Sequence, residues 1–262
     1  MTTTPRYLLD NRSTAAGTRF EALAGVFNDW TFRHIDRLQL PAGAACWEVG
    51  AGGPTVPAWL THHVAPGGSV LATDIDLSWL VGEQPYRVER HDVAADEPPA
   101  DRFDLVHARL VLTHVPARDE ALRHMASTLR PGGWILVEDF DVDLQPLACL
   151  AEPGPDEERA NRIRRQFVQL LAQRGVDLAL GRTLPDRLRR LGLVDVAADA
   201  YLPLAVPSTR ALELANVTQV RDGLVATGVP ADDIEHDLGA LRAGTVDIAT
   251  PPLVSAWGRA PR

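Results

Sequence analysis

The sequence contains no lysine, so all 26 of its basic residues are arginines. Without lysine, Schiff-base chemistry is excluded, and with it pyridoxal phosphate enzymes and lysine-type aldolases. The phosphate-binding P-loop is excluded as well, because its GxxxxGK[ST] motif requires a lysine. Any catalytic function must therefore use other side chains or a bound cofactor.

Cysteines, basic charge and long apolar runs are scarce too. The two cysteines, Cys46 and Cys149, do not make a disulfide framework, and a reducing cytoplasm is the simplest compartment. The formal net charge of −9 leaves no basic surface for phosphates, so we expect no nucleic-acid partner. We also expect no membrane partner, since no apolar run is long enough for a transmembrane helix. The opening residues, MTTTPRYLLD, do not have the pattern of a signal peptide.

Short apolar runs alternate with helical patterns along the chain. Strands are predicted at 44–49, 70–73, 86–91, 103–109, 134–140, 193–201 and 253–258. Strands that alternate with helices favour a mostly parallel sheet covered on both faces. We predict one α/β domain over 1–262, with a helical cover over 1–40, a core over 41–205, and helices with a last strand over 206–262.

Helix-breaking residues set two further boundaries. The apolar face of the first helix runs over 20–27, and we expect a break near Asn28. A helix that begins at Pro116 should continue to Leu129 and end at the RPGG turn, residues 130–133.

The string CWEVGAGGP, residues 46–54, resembles a ligand-binding turn. An apolar strand runs into glycines and then into a helix, and glycine permits close approach of a ligand to the backbone. Asp74 follows Gly50 by 74 − 50 = 24 positions, a spacing that suits a carboxylate on ribose hydroxyls. Glu48 would repel a pyrophosphate, and Thr55 replaces the third glycine of GxGxxG. The pattern therefore indicates a nucleotide-like ligand and disfavours NAD.

Five strings occur in a characteristic order: EVGAGGP, ATDID, RHDV, FDLVHARLVLTHV and LRPGGWILVED. Together they resemble class I S-adenosylmethionine-dependent methyltransferases over about residues 43–201. The resemblance implies a Rossmann-like, doubly wound, mostly parallel sheet with an antiparallel last strand and an N-terminal helical cover. It also implies S-adenosyl-L-methionine as the cofactor. Pro54 departs from the pattern, since many members carry another glycine there.

The resemblance assigns roles to individual residues. The cofactor-binding candidates are Glu48, Val49, Gly50, Ala51, Gly52, Asp74, Ile75, Asp92, Val93, Ala108 and Arg109. In the family pattern, Glu48 organises the loop and the methionine ammonium, and Asp74 holds both ribose hydroxyls. Ile75 packs on the adenine, while Asp92 and the N–H of Val93 contact its polar edge.

Methyl transfer needs proximity and orientation more than reactive side chains. A general base is needed only if the acceptor is protonated at the working pH. We take His114 and Arg109 as catalytic candidates, with packing or capping as the alternative for His114 and a surface salt bridge for Arg109. Candidate substrate contacts are Tyr7, Trp30 and Phe140.

Other polar residues favour structural roles. His107 falls inside a strand. Four carboxylates lie at or after the end of the fifth strand and could in principle bind Mg²⁺, but such a loop is usually solvated, and we expect no metal site. These residues are Glu138, Asp139, Asp141 and Asp143.

Three functions are compatible with these motifs. The first is methylation of a small molecule, a specialised metabolite, whose acceptor atom the sequence does not reveal. The second is a protein that keeps the cofactor but catalyses a non-methylating reaction such as a cyclisation. The third is a nicotinamide-dependent oxidoreductase, which Glu48 and the incomplete GxGxxG oppose. A homodimer is compatible with all three.

Overall fold

The structure, a computed structural model, describes residues 8–9 and 14–262, except for the side chains of Thr14 and Ala15. The described residues form two compact units. The first, here called the sheet unit, consists of Asn28–Phe140, Leu180–Ala200 and Val254–Arg262. The second, the helical unit, consists of the described residues up to Phe27 together with Asp141–Ala179 and Tyr201–Leu253.

A seven-stranded sheet is the framework of the sheet unit. Its strands are β1 (Ala45–Val49), β2 (Ser69–Asp74), β3 (Arg87–Arg90), β4 (Phe103–Arg109), β5 (Leu129–Phe140), β6 (Val194–Tyr201) and β7 (Leu253–Arg259). They lie in the order β3-β2-β1-β4-β5-β7-β6, mostly parallel with an antiparallel last strand. The predicted fold class is confirmed. The order reverses between β1 and β4, and ligands of such sheets bind in the crevice at that switch point.

Seven α-helices accompany the strands in the described chain. They are α1 (Thr14–Arg37), α2 (Thr55–His63), α3 (Arg118–Ser127), α4 (Pro155–Gln173), α5 (Leu180–Arg190), α6 (Pro207–Ala226) and α7 (Ala231–Ala243). Both α4 and α6 begin with a proline, whose missing N–H would have no helical partner in the first turn. Helix α7 ends at Gly244, whose φ of +71° favours glycine.

Both faces of the central strands are buried. Trp47 of β1 packs in a cluster with Val106 and Ile135 on one face. The preceding residue, Cys46, packs in a second cluster with Leu105 on the other face. Neighbouring residues of a strand point to opposite faces, so continuous apolar runs are needed here. Burying each large side chain contributes about 1.5–3 kcal/mol of stability.

The structure corrects two predicted boundaries. Helix α1 runs through Asn28 without a break, and the Asn28 side chain accepts a hydrogen bond from Arg109 Nη2 at 2.9 Å. Strand β5 begins at Leu129 rather than Trp134, because Leu129 already pairs with Phe103 of β4 and the RPGG segment lies inside the strand without a partner in that register. The register shifts between Phe103 and Leu105 at this point, as in a β-bulge.

Helices α4, α6 and α7 dominate the helical unit. They enclose a core that includes Ile163, Val217 and Ile234. A buried ion pair joins α4 to α6, where Arg164 donates from Nε and Nη2 to Glu213 at 3.0 and 2.7 Å. None of the helices in the described residues combines the length and apolar character that crossing a membrane requires.

Candidate functional site

The turn after β1 has a backbone shape that only glycine adopts easily. Gly50 and Gly52 have φ angles of +62° and +63°, in the left-handed region. A Cβ atom on Gly50 would lie 2.4 Å from Cγ2 of Val111, so the site excludes any larger residue there. The N–H of Ala51 donates to the Thr73 carbonyl at 3.0 Å and ties the turn to β2. The turn is thus fixed by contacts on both sides.

Asp74 ends β2 and holds the same turn with its side chain. Its Oδ2 accepts from the N–H of Gly52 at 2.8 Å, and its Oδ1 accepts from the N–H of Asp76 at 3.0 Å. Burial raises the pKa of Asp74, while hydrogen bonds from the backbone of Asp76 and Gly52 oppose that rise. A carboxylate has about four acceptor positions, so the two backbone bonds leave capacity for other donors.

The segment after β3 lies beside the end of β2. The N–H of His91 donates to the Asp74 carbonyl at 3.0 Å. Ile75 keeps 59% of its surface exposed, which is unusual for an isoleucine. Val93 is buried, whereas Asp92 is exposed and accepts from the N–H of Ala94 at 3.0 Å. The contact predicted for Asp92 therefore involves a carboxylate that already caps a turn.

Three charged side chains meet inside the sheet, on β1, β4 and β5. His107 Nδ1 lies 2.5 Å from Glu48 Oε2, and His107 Nε2 lies 3.2 Å from Glu138 Oε2. A doubly protonated imidazole donates from each ring nitrogen and a carboxylate oxygen accepts, so this geometry suits an imidazolium between the two side chains. Desolvation by burial works against that proton, but Glu48 and Glu138 overcome it and raise the pKa of His107 to about 9. The ring is therefore an imidazolium at neutral pH.

Glu138 extends this network to α1 and β7. Its Oε2 accepts from the Thr31 hydroxyl, and its Oε1 accepts from Ser255 Oγ at 2.6 Å. Ser255 Oγ in turn accepts from the indole N–H of Trp30 at 3.1 Å. Burial opposes ionisation of Glu138, but His107 outweighs it and lowers the pKa to about 2. We call Glu48, His107 and Glu138 the buried charge triad.

Arg109 ends β4 next to the triad. Its Nη1 donates to Thr31 Oγ1 at 2.9 Å and its Nη2 donates to Asn28 Oδ1 at 2.9 Å. Burial lowers the pKa of Arg109, against the charges of Glu138 and Glu48. The partners of this arginine are therefore in α1 and inside the sheet rather than in a surface salt bridge.

A short 3₁₀ turn, Leu112–His114, carries the predicted catalytic histidine. The N–H of Thr113 donates to Asp139 Oδ2 at 3.1 Å, which fixes the turn to the end of β5. Burial raises the pKa of Asp139 to about 7, although backbone N–H groups counteract the rise. His114 itself is partly buried.

The structure also places the remaining candidates. Trp30 is partly buried and donates to Ser255, with the Arg33 guanidinium 4.0 Å from its ring centre. Phe140 is partly buried at the end of β5, and Ala108 and Val49 are buried. Tyr7 lies outside the described residues.

The expectation of a solvated acidic loop was wrong for three of its four members. Glu138, Asp139 and Asp141 are fully buried and Asp143 is exposed. The buried members accept hydrogen bonds instead: Asp141 Oδ1, for example, accepts from the N–H of Leu144 at 3.0 Å. Across the described residues, no three His, Cys, Asp or Glu side chains are grouped so as to hold a metal ion.

The sequence is also similar to known methyltransferases. The model of a methyltransferase domain family matches residues 32–198, more than half of the chain. The ubiquinone/menaquinone biosynthesis C-methyltransferase UbiE of Hahella chejuensis is 31% identical over 137 residues, 48% of this chain and 55% of that protein. Methyltransferase GfsG of Streptomyces halstedii is 32% identical over 132 residues, 47% of each chain. The chain thus spans about half the length of these curated relatives.

Solved structures share the fold at lower identity. Phosphoethanolamine N-methyltransferase 2 of Haemonchus contortus, in complex with phosphomonomethylethanolamine and S-adenosylhomocysteine, superposes with a TM-score of 0.61 at 16% identity. The match covers 100% of this chain and 61% of that chain. The YcgJ protein of Bacillus subtilis gives a TM-score of 0.51 at 15% identity, covering 87% of this chain and 97% of that one. With the family match, these findings show that the chain belongs to the class I S-adenosylmethionine-dependent methyltransferases.

Proposed function

We propose that this protein transfers the methyl group of S-adenosylmethionine to a small-molecule acceptor, a specialised metabolite. The observation that carries the proposal is the bond between the Gly52 N–H and the buried Asp74 carboxylate at the switch point of the sheet. It brings a left-handed glycine turn and a carboxylate with spare acceptor capacity together at one place.

The residues at this place fit the cofactor chemically. Asp74 accepts two backbone N–H groups and keeps acceptor positions for the two ribose hydroxyls. Ile75 offers an exposed apolar surface for the adenine. Glu48, held by His107, is the carboxylate nearest in sequence to the turn and would face the methionine ammonium. The Asp92 carboxylate and the N–H of Val93 would form hydrogen bonds with the polar edge of the adenine.

When bound, the cofactor supplies an activated methyl group on a positively charged sulfur. The protein must hold the acceptor in line and exclude water, which contributes about 7–11 kcal/mol in favourable cases. We assign these tasks to Arg109 and to side chains near Trp30 and Phe140. His114, on the turn fixed by Asp139, is the candidate base for acceptors that must lose a proton.

The names of the relatives support a small-molecule acceptor. UbiE of Hahella chejuensis is named for ubiquinone and menaquinone biosynthesis, and those quinones are small molecules. The net charge of −9 also opposes a nucleic-acid acceptor, whose phosphates would be repelled.

The proposal is tested with S-adenosylmethionine labelled in its methyl group. The full chain is incubated with a panel of small phenols, hydroquinones and alcohols, and with a folded protein and an RNA duplex as macromolecular controls. We expect label in a small-molecule product and stoichiometric S-adenosylhomocysteine. Label in the protein or RNA alone would overturn the choice of acceptor class. A transformed substrate without label would indicate the non-methylating alternative.

A further inference from the structure

The two ring nitrogens of His107 contact different carboxylates. Nδ1 contacts Glu48 on β1, which precedes the glycine turn, whereas Nε2 contacts Glu138 on β5. We propose that His107 is a positioning residue for cofactor binding, whose Nδ1–H fixes the Glu48 carboxylate toward the methionine ammonium. The inference rests on the role proposed for Glu48 above.

Burial and strand register support this role. Glu48 and His107 are directly paired in the parallel register of β1 and β4, and both are almost completely inaccessible to solvent. A carboxylate in such a place has no water to orient it, so its orientation depends on its protein partners. Its Oε2 is held at 2.5 Å from His107.

The opposite side of the ring is anchored to another helix and strand. Glu138 accepts from His107, from Thr31 of α1 and from Ser255 of β7. These bonds hold Glu138 beside Nε2 and stabilise the buried charge triad. Only the Nδ1 side of the ring contacts Glu48, so the two sides of His107 have separable roles.

A purely structural role for His107 makes a different prediction. If the triad only stabilises the sheet, losing either contact should lower stability and leave cofactor affinity unchanged for the folded fraction. If His107 positions Glu48, the Nδ1 contact should matter for affinity and the Nε2 contact mainly for stability. Two isosteric substitutions separate these contacts.

His107→Asn places an amide nitrogen near the position of Nδ1, and His107→Gln places one near the position of Nε2. We expect His107→Asn to bind S-adenosylhomocysteine within about threefold of the wild type. We expect His107→Gln to bind it at least tenfold more weakly, although both variants lower the melting temperature. Ser255→Ala, which removes a bond to Glu138 and none to Glu48, is the matched control: it should lower the melting temperature and keep wild-type affinity.

Calorimetric titration of the folded variants with S-adenosylhomocysteine decides the inference. Equal losses of affinity in the Asn and Gln variants, or none in either, would overturn it. Glu48→Gln separates this inference from the proposed function. If the wild type binds and Glu48→Gln weakens binding, equal affinities of the two His107 variants refute only the positioning role. If the wild type does not bind, the proposed function fails.

A spectroscopic measurement on the wild type keeps the inference testable if either variant fails to fold. In protein labelled with ¹⁵N-histidine, S-adenosylhomocysteine should shift the Nδ1 resonance of His107 more than its Nε2 resonance. No shift at Nδ1 would overturn the proposal.

Discussion

The backbone N–H of Gly52 donates to Oδ2 of Asp74 at 2.8 Å, and this bond joins the turn after β1 to the end of β2. The same carboxylate accepts from the N–H of Asp76 through its other oxygen. Asp74 therefore organises the protein backbone as well as being the candidate partner of a ribose. A substitution at this residue acts on both.

We expect Asp74→Ala to weaken binding of S-adenosylhomocysteine by about 1–3 kcal/mol, because a charged hydrogen-bond acceptor is lost. That range corresponds to roughly 5- to 150-fold in Kd. Isothermal titration calorimetry measures it. Asp101→Ala is the control, since Asp101 is exposed and pairs with Arg87. Unchanged affinity in Asp74→Ala would refute the assigned role of this carboxylate.

We expect Gly52→Val to abolish cofactor binding while the protein stays folded. Valine is strained at the φ of +63° found here, and its side chain would occupy the surface of the turn. Gly53→Ala is the matched control, because a Cβ there meets no atom within 4 Å and the φ is not positive. Circular dichroism checks the fold and calorimetry checks binding. Normal turnover of Gly52→Val would contradict close approach of the cofactor to this turn.

The buried charge triad should make stability depend on pH. The pKa of His107 is raised to about 9 in the folded protein, so its stabilising contribution is complete below about pH 6.5 and is lost as the pH rises to about 9. The pKa of Glu138 is lowered to about 2, so its contribution is complete above about pH 4.5 and is lost toward pH 2. The stabilising contributions of His107 and Glu138 are therefore both complete only between about pH 4.5 and 6.5.

Because the pKa of His107 is raised, the free energy of unfolding should fall by about 3 kcal/mol between pH 6 and pH 10. Urea unfolding of the wild type and of His107→Gln over this range measures it. The wild type should lose more stability than the variant, since the other titrating groups are common to both. Parallel curves would show that His107 is not protonated in the folded state.

We expect His114→Gln to lower kcat by about 10²–10⁴-fold if the acceptor must lose a proton, with little change in the affinity for S-adenosylhomocysteine. The loss should be largest below the pKa of the acceptor, where a base is needed most. A pH profile of kcat for wild type and variant measures this. Arg118→Ala, which removes a neighbouring bond from Nε to the Leu112 carbonyl, is the control for disturbance of the turn. With an acceptor that must lose a proton, an unchanged kcat would assign His114 to packing.

The alternation of apolar strands and helices was enough to predict the fold. All seven predicted strands are present, because the central ones are buried on both faces and are therefore mostly apolar. The predicted start of β5 was wrong, because Pro131 and the two glycines after it normally end a helix or form a turn. Here Gly133 approaches β4 so closely that a Cβ would lie 2.8 Å from the Phe103 carbonyl oxygen. That proximity depends on pairing across the sheet and is not visible locally.

The triad shows a similar limit for the candidate site. Glu48, His107 and Glu138 each interrupt an apolar strand, and a buried charge needs a partner. The strand order would have placed β1, β4 and β5 side by side. Only the register pairs Glu48 with His107, and only the side-chain rotamers bring Glu138 to the same ring. The interruption of three adjacent strands by charge is the signal from which the triad could have been inferred.

Calorimetric titration of the wild-type chain with S-adenosylhomocysteine, and separately with NADH, tests the central claim most directly. The account predicts saturable binding of S-adenosylhomocysteine at one site per chain and none of NADH. Binding of NADH in the absence of any S-adenosylhomocysteine signal would contradict the assignment of the glycine turn and Asp74.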